Sequence, residues 1–334
     1  MKKILFIIIV LFFLVLPTKF ILAQVVTSGA SEMGLTITPA NPGPNSTTTI
    51  KVSSFAFNPN ASTFTWTLNG KKALSGLNQS SFSFKTGNLG SQSVVSIAAL
   101  DDGRLFEKTI TFYQNDADLL WEVVNGYAPG FYEGKIFPAA GDTVQISATP
   151  SIFDNGKLVA ATKLNYTWSE NFKSLPEQSG VGKRSLTFTA DRSTNSFIVD
   201  VTITNPAKPS VSLRRSVVIP SPNLQAILYP TIPLVGALYG QALTGKITPS
   251  GNNLSLKAEV FNISPNDLPS LNFSWSLNGK PIAVDPTNPG TITVNNPLAS
   301  TSQSLLSLKV ASLDNIFETA QNFLTIIWGN SVQF

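Results

Sequence analysis

The octet "FTWTLNGK" at Phe64–Lys71 returns as "FSWSLNGK" at Phe273–Lys280, and a relative of both, "YTWSENFK", stands between them at Tyr166–Lys173. An aromatic residue, a Ser or Thr, a Trp and a second Ser or Thr thus recur around Trp66, Trp168 and Trp275. The Trp-to-Trp spacings are 102 and 107 residues. Each is about the length of one small β-sandwich, so the period marks tandem domains rather than a stack of short repeats.

The surroundings of each octet repeat as well. Upstream lies an alternating segment: "TTIKVSSF" at Thr48–Phe55, "DTVQISAT" at Asp142–Thr149 and "LSLKAEVF" at Leu254–Phe261. Downstream come two longer ones in each copy, "SVVSIAAL" with "RLFEKTITFY", "SFIVDVTIT" with "SVSLRRSVVI", and "LLSLKVASL" with "TAQNFLTIIW". Alternation over four to eight residues between turn signals reads as half-buried strands. Gly and Pro, 22 of each, interrupt every window long enough for an amphipathic helix. The expectation is all-β, with sandwiches over residues 30–113, 114–220 and 221–334.

Asn69-Gly70, Asn278-Gly279 and Asp101-Asp102-Gly103 predict tight hairpin turns, because both central residues of such turns need positive φ. Asn171-Phe172 lacks the glycine, which predicts a different turn in the middle copy. A Trp at the middle of a strand fills the space between two sheets with one ring, burying ~150–250 Å². Trp66, Trp168 and Trp275 are therefore read as structural core, and the rival reading is a surface Trp that stacks on sugar rings.

On these features the chain resembles the tandem immunoglobulin-like, PKD-related β-sandwiches of bacterial secreted and cell-surface proteins. The resemblance spans nearly all of residues 30–334, and the inward Trp of the third strand in that fold maps to Trp66, Trp168 and Trp275. It implies three tandem immunoglobulin-like sandwiches engaged in adhesion, spacing or display at a cell surface, without a shared active site.

The first 23 residues read as a leader. A basic Met1-Lys2-Lys3 precedes thirteen apolar residues, Ile4–Leu16, closed by Pro17. At about 1.5 Å per residue that run reaches roughly 20 Å, short of the ~30 Å hydrocarbon core. A signal peptide cut after Ala23 is expected, with an uncleaved anchor as the alternative. Either way the protein is exported, to the extracellular space or the cell envelope, and the leader is its one route to a membrane. The absence of Cys, in a strand-rich exported chain of this size, points to a bacterial export route.

Charge excludes a nucleic-acid partner. The formal charge of +4 includes Lys2, Lys3 and Lys19 of the leader, and the remainder holds 20 basic against 19 acidic residues with no basic stripe. Arg214-Arg215 reads as an isolated, solvated pair. With no His and no Cys, the commonest general base, thiol chemistry and the usual zinc ligands are missing. No cofactor is expected, and the chain is read as non-catalytic. Paired carboxylates remain open to glycoside chemistry, with Glu122 and Glu133 as candidates.

Copies two and three open on longer segments that carry aromatics: Trp121, Tyr127, Phe131 and Tyr132 in one, Tyr229 and Leu238-Tyr239 in the other. Trp121, Tyr127, Phe131 and Tyr132 are the candidate ligand-binding residues, for a glycan or a peptide, and equally candidates for an aromatic joint between domains. Asp116 and Asp118 are weak calcium candidates at the first joint. The function expected is an adhesion, spacer or surface-assembly module whose partner is an unknown cell-surface protein or glycan. A carbohydrate-binding or weakly hydrolytic module using residues 121–132, and a component or partner of a surface filament, are the alternatives.

Overall fold

The structure, a computed structural model, describes residues 32–191, 194–296, 302–314 and 318–329, so the leader lies outside the described residues. All regular structure among them is strand, apart from three single turns of 3-10 helix. The first copy supplies β1 (Gly34–Thr38), β2 (Thr47–Ser53), β3 (Thr63–Leu68), β4 (Lys71–Leu77), β5 (Ser81–Lys85), β6 (Gln92–Asp101) and β7 (Arg104–Tyr113). They form the sheets β1-β2-β5 and β4-β3-β6-β7.

The second copy supplies β8 (Asp116–Val123), β9 (Thr143–Ser151), β10 (Phe153–Asp154), β11 (Lys157–Leu158), β12 (Asn165–Glu170), β13 (Lys173–Ser174), β14 (Gly180–Val181), β15 (Ser185–Thr189), β16 (Ser196–Thr204) and β17 (Ser212–Pro220). Its sheets are β15-β9-β8 and β13-β12-β16-β17. The third supplies β18 (Gln225–Ile232), β19 (Gly236–Ala237), β20 (Gly245–Ile247), β21 (Asn253–Phe261), β22 (Leu271–Leu277), β23 (Lys280–Ile282), β24 (Thr291–Asn295), β25 (Ser302–Ser312) and β26 (Thr319–Trp328). Its sheets are β19-β18-β21-β24 and β20-β26-β25-β22-β23, antiparallel except where β20 joins β26 in parallel. Two compact units partition the chain. One is built from Val52–Ser80 and Val94–Ile110 with the residues up to Leu35, the other from Thr36–Lys51, Ser81–Ser93 and Thr111 onward.

The octet lies on β3, β12 and β22, each an inner strand of its sheet. Trp66 and Trp168 are 0 % exposed and Trp275 is 2 % exposed. Trp168 packs among Ile146, Leu186, Val199 and Val201, and Trp275 among Leu256, Ile292, Leu306 and Leu308. A buried indole N–H needs an acceptor. The three find the same one: Trp66 Nε1 donates to Gln79 O at 2.7 Å, Trp168 to Lys183 O at 2.9 Å and Trp275 to Pro289 O at 3.0 Å. Each acceptor lies two residues before the strand that follows, β5, β15 or β24, so the Trp both fills the core and fixes where that strand begins.

The octet's Asn is equally repetitive. Asn69, Asn171 and Asn278 have φ of 50°, 46° and 49°. Their Oδ1 atoms accept from the N–H of Val94, Ile198 and Leu305, at 2.8, 2.9 and 2.8 Å, while their own N–H groups donate to the carbonyls of the same residues. One side chain thereby makes the turn and ties it to the neighbouring strand. The expected different turn at Asn171-Phe172 is corrected: Phe172 adopts φ +66°, close to the +78° of Gly70 and Gly279. The Asn171 tie to Ile198 holds the turn, and the non-glycine residue carries the strain, about 1–2 kcal/mol.

Arg214 and Arg215 both stand on β17. Arg214 is exposed, a solvated strand position that also pairs with Asp200 at 3.1 Å, whereas Arg215 is half-buried and pairs with Asp116 at 2.5 Å, so the solvated reading is corrected for Arg215 alone.

Candidate functional site

A connection runs between β1 and β2, between β8 and β9 and between β18 and β21: residues 39–46, 124–142 and 233–252, the last carrying the short strands β19 and β20. The second of these forms a strap. Both ends are fastened to its own sandwich, where Val124 N–H donates to Thr143 O at 2.9 Å, Gly141 N–H donates to Ala190 O at 2.9 Å and Asp142 O accepts from Ala190 N–H at 2.8 Å. Its middle crosses to the third sandwich.

There the Phe131 ring stacks on Tyr239, 3.7 Å between centroids and 11° between planes, and meets Tyr229 and Phe261 edge-on at 5.5 and 6.2 Å. Tyr132 meets Phe261 edge-on at 5.5 Å and stays 38 % exposed. Tyr127 packs against the third core. The receiving surface is the outer face of β18 and β21. Ala226, Leu228, Leu256, Ala258 and Val260 point into the core, which puts Tyr229, Lys257, Glu259 and Phe261 on the opposite register.

Two glycines let the strap fold on itself. A Cβ on Gly134 would intrude on the Tyr132 ring, whose hydroxyl donates to Lys135 O at 3.2 Å. A Cβ on Gly126 would lie 2.6 Å from Ile136 Cγ2. Neither position has room for a side chain.

Under the strap sits a polar knot. Tyr239 Oη donates to Glu259 Oε1 at 2.8 Å, and Lys257 Nζ reaches Glu259 Oε1 at 2.7 Å and Tyr239 Oη at 3.1 Å. The hydrogen bonds to Glu259 and then to Tyr239 hold the Lys257 ammonium above its ordinary range. Burial, followed by the nearby Glu259 charge, pushes the Tyr127 and Tyr229 phenols upward. The strap's far end carries a buried carboxyl, Asp142, whose Oδ2 accepts from Ala139 N–H at 2.9 Å. Burial raises its pKa, and Ser264 and Asp267 of the third sandwich act on it in opposite directions.

The four candidate aromatics are thus divided. Phe131, Tyr132 and Tyr127 belong to the joint. Trp121, on β8, packs at the edge of the second core, 6.3 Å from Phe137, with Lys135 Nζ only 3.3 Å from its ring centroid. That exposed ammonium lies over one face of the indole. Two crevices adjoin the joint, one of about 70 Å³ lined by Ala139, Asp191, Ser221 and Glu318 among others, and an open one of about 610 Å³ lined by Asn195, Leu224, Gln225, Ile227, Thr319 and Gln321 among others; none of the four aromatics lines either. Glu122 and Glu133 are both exposed, on β8 and on the strap. Asp116 is bound to Arg215 and Asp118 is exposed, and no group of three or more metal-ligating side chains occurs among the described residues.

Reading the sequence segment by segment missed the receiving face. A signal was available: Phe261 and Tyr229 fall on the outward register of their strands, where polar residues belong. Trp328, 0 % exposed with Nε1 donating to Ser304 Oγ at 3.1 Å, was missed as a fourth core Trp.

No protein-family model matches the chain, and no curated protein matches its sequence. Among solved structures it is similar to the three N-terminal domains of the bacteriophage RB49 highly immunogenic outer capsid protein, at 12 % identity, covering 89 % of this chain and 98 % of that one with a TM-score of 0.27. It is similar to the central fibronectin-III array of RIM-binding protein at 11 % identity, covering 91 % and 98 % with a TM-score of 0.29. SGBP-B of the Bacteroides ovatus mixed-linkage glucan utilization locus, in complex with a mixed-linkage heptasaccharide, matches at 9 % identity, covering 90 % and 72 % with a TM-score of 0.22. Likenesses this distant carry no functional argument, and the fold statement rests on the sheets themselves.

Proposed function

We propose that this is a non-catalytic, exported surface module, a spacer or adhesion element whose second and third sandwiches are held at a set angle by the strap. The observation that carries the reading is the Phe131 ring stacked on Tyr239, with Tyr132 and Tyr127 alongside. Both ends of the strap belong to the second sandwich, yet it commits three aromatic rings to the neighbouring domain. Burying them contributes a few kcal/mol in all, enough to keep the joint from swinging freely. The leader supports the exported address, and the missing His and Cys support a non-catalytic role.

Because the chain has no Cys, spin labels can be placed at will. Labels at Lys157→Cys and Lys280→Cys, one in each sandwich, report the joint by their distance distribution. A narrow distribution that broadens at least twofold in Phe131→Ala supports the reading. A distribution already as broad without that substitution would falsify it. The mature N-terminus and cell fraction, read by mass spectrometry, test the address separately.

A further inference from the structure

The chain holds four Asn-Gly pairs, Asn69-Gly70, Asn125-Gly126, Asn155-Gly156 and Asn278-Gly279. Such a pair can react with itself, because glycine has no side chain to keep its backbone nitrogen away from the preceding carboxamide. In a folded chain the outcome depends on how freely that carboxamide can swing. Three of the four are tied. Asn69 Oδ1 accepts from Val94 N–H and Asn278 Oδ1 from Leu305 N–H, both at 2.8 Å, and the Asn69 and Asn278 N–H groups donate back to the carbonyls of the same residues at 2.8 Å. Asn125 Oδ1 accepts from Thr143 N–H at 3.0 Å. Asn155 shares the backbone of the octet turns but not their tie. Its φ is 49° with Gly156 at 74°, against 50° and 78° at Asn69-Gly70 and 49° and 78° at Asn278-Gly279. Yet its side chain is exposed and makes no hydrogen bond among the described residues. Its hairpin is short as well: β10 meets β11 only through Phe153 with Leu158 and Asp154 with Lys157. A ladder this small opens readily.

We infer that Asn155 is a site of spontaneous covalent modification, where the folded chain converts to aspartyl and isoaspartyl forms while the other three pairs are protected. The Gly156 backbone nitrogen gives its proton to hydroxide and attacks Asn155 Cγ. The new N–Cγ bond closes a five-membered succinimide, the Cγ–Nδ2 bond breaks, and ammonia leaves. Water then opens the ring. Addition at Cγ gives Asp; addition at the Asn155 main-chain carbonyl carbon gives isoaspartate, in which the chain continues through Cγ. One water is consumed for each ammonia released, and no oxidant or reductant takes part. The isoaspartyl form lengthens the main chain of a two-residue turn by one atom. Either product sets a new carboxylate next to Asp154, which accepts from Lys208 Nζ at 3.1 Å. The Asn of the two outer octets thus has a second role: it fixes its turn, and the same tie shields it from its own glycine.

The test is peptide mapping by mass spectrometry of the purified chain during incubation at mildly alkaline pH, with a parallel sample held unfolded in guanidinium. Chromatographic retention separates the Asp and isoaspartyl peptides, so all four pairs are followed in one experiment and no variant has to fold. In the folded sample Asn155 should convert at least about tenfold faster than Asn69, Asn125 and Asn278, because those three must first break their ties. In the unfolded sample the four rates should converge, since no tie survives there. A smaller lead for Asn155 in the folded chain overturns the inference. So does a lead that persists undiminished in guanidinium, which would assign the difference to flanking sequence rather than to the fold.

Discussion

Phe172 and Gly70 occupy the same position of the same turn, yet only one of them is suited to it. At φ +66° the Phe172 Cβ crowds the backbone, and its ring is 78 % exposed, so packing returns little. Phe172→Gly removes about 1–2 kcal/mol of strain but adds roughly 0.5–1 kcal/mol of unfolded-chain entropy to be lost on folding. The net expectation is a gain of about 0.5–1 kcal/mol in denaturant unfolding. Asn278→Ala acts in the other direction. It leaves Leu305 N–H without its side-chain acceptor and places Ala at φ 49°, so a loss of about 1–3 kcal/mol is expected in the same measurement. An unchanged stability would mean that water replaces the amide at no cost.

At the scale of elements, a strand is placed by what its neighbours need, and the indole-to-carbonyl bond is the clearest instance. Trp168→Phe keeps most of the apolar ring but leaves Lys183 O without its donor and opens a void, for an expected loss of about 2–4 kcal/mol. The strap obeys the same logic. Gly134 gives Tyr132 room to fold back, so Gly134→Ala should lift that ring from Phe261 and loosen the joint without unfolding either sandwich. The spin-label distribution should broaden while the unfolding midpoint moves by less than ~1 kcal/mol equivalent. A large drop in stability with an unbroadened distribution would show that Gly134 serves folding instead.

For the molecule as a whole, the joint has a pH range set by the groups beneath the strap. Lys257 is raised by its bonds to Glu259 and Tyr239, so its contribution is complete below its ordinary 10.5 and is lost as pH climbs through the higher folded value. Tyr127 and Tyr229, raised chiefly by burial, favour the neutral phenol. Their contribution is likewise complete below 10.0 and lost above it. These three signs agree, so the knot under the strap should hold through neutral pH and weaken in alkali beyond about 10, visible as broadening of the label distribution in a pH series. Asp142, raised by burial, acts in another range, its contribution full in acid and lost as pH rises through its folded value. Opening already at pH 8 would require a different set of groups at the contact.

The octets alone announced three cores, because a Trp at hundred-residue spacing on an alternating strand has few other uses, and an Asn-Gly pair dictates its own backbone. Those are local demands, met within a few residues, and they are written where they act. The turn at Phe172 escaped that reading because Asn171 is anchored to Ile198, a residue 27 positions away that no local pattern reveals. The aromatic segment could be seen, but its meaning could not: whether Phe131 faces a ligand or a neighbour depends on which surface the folded chain brings opposite it. Only the tertiary structure set Tyr229, Tyr239 and Phe261 there, since burial is a property of two surfaces and the sequence lists them one at a time.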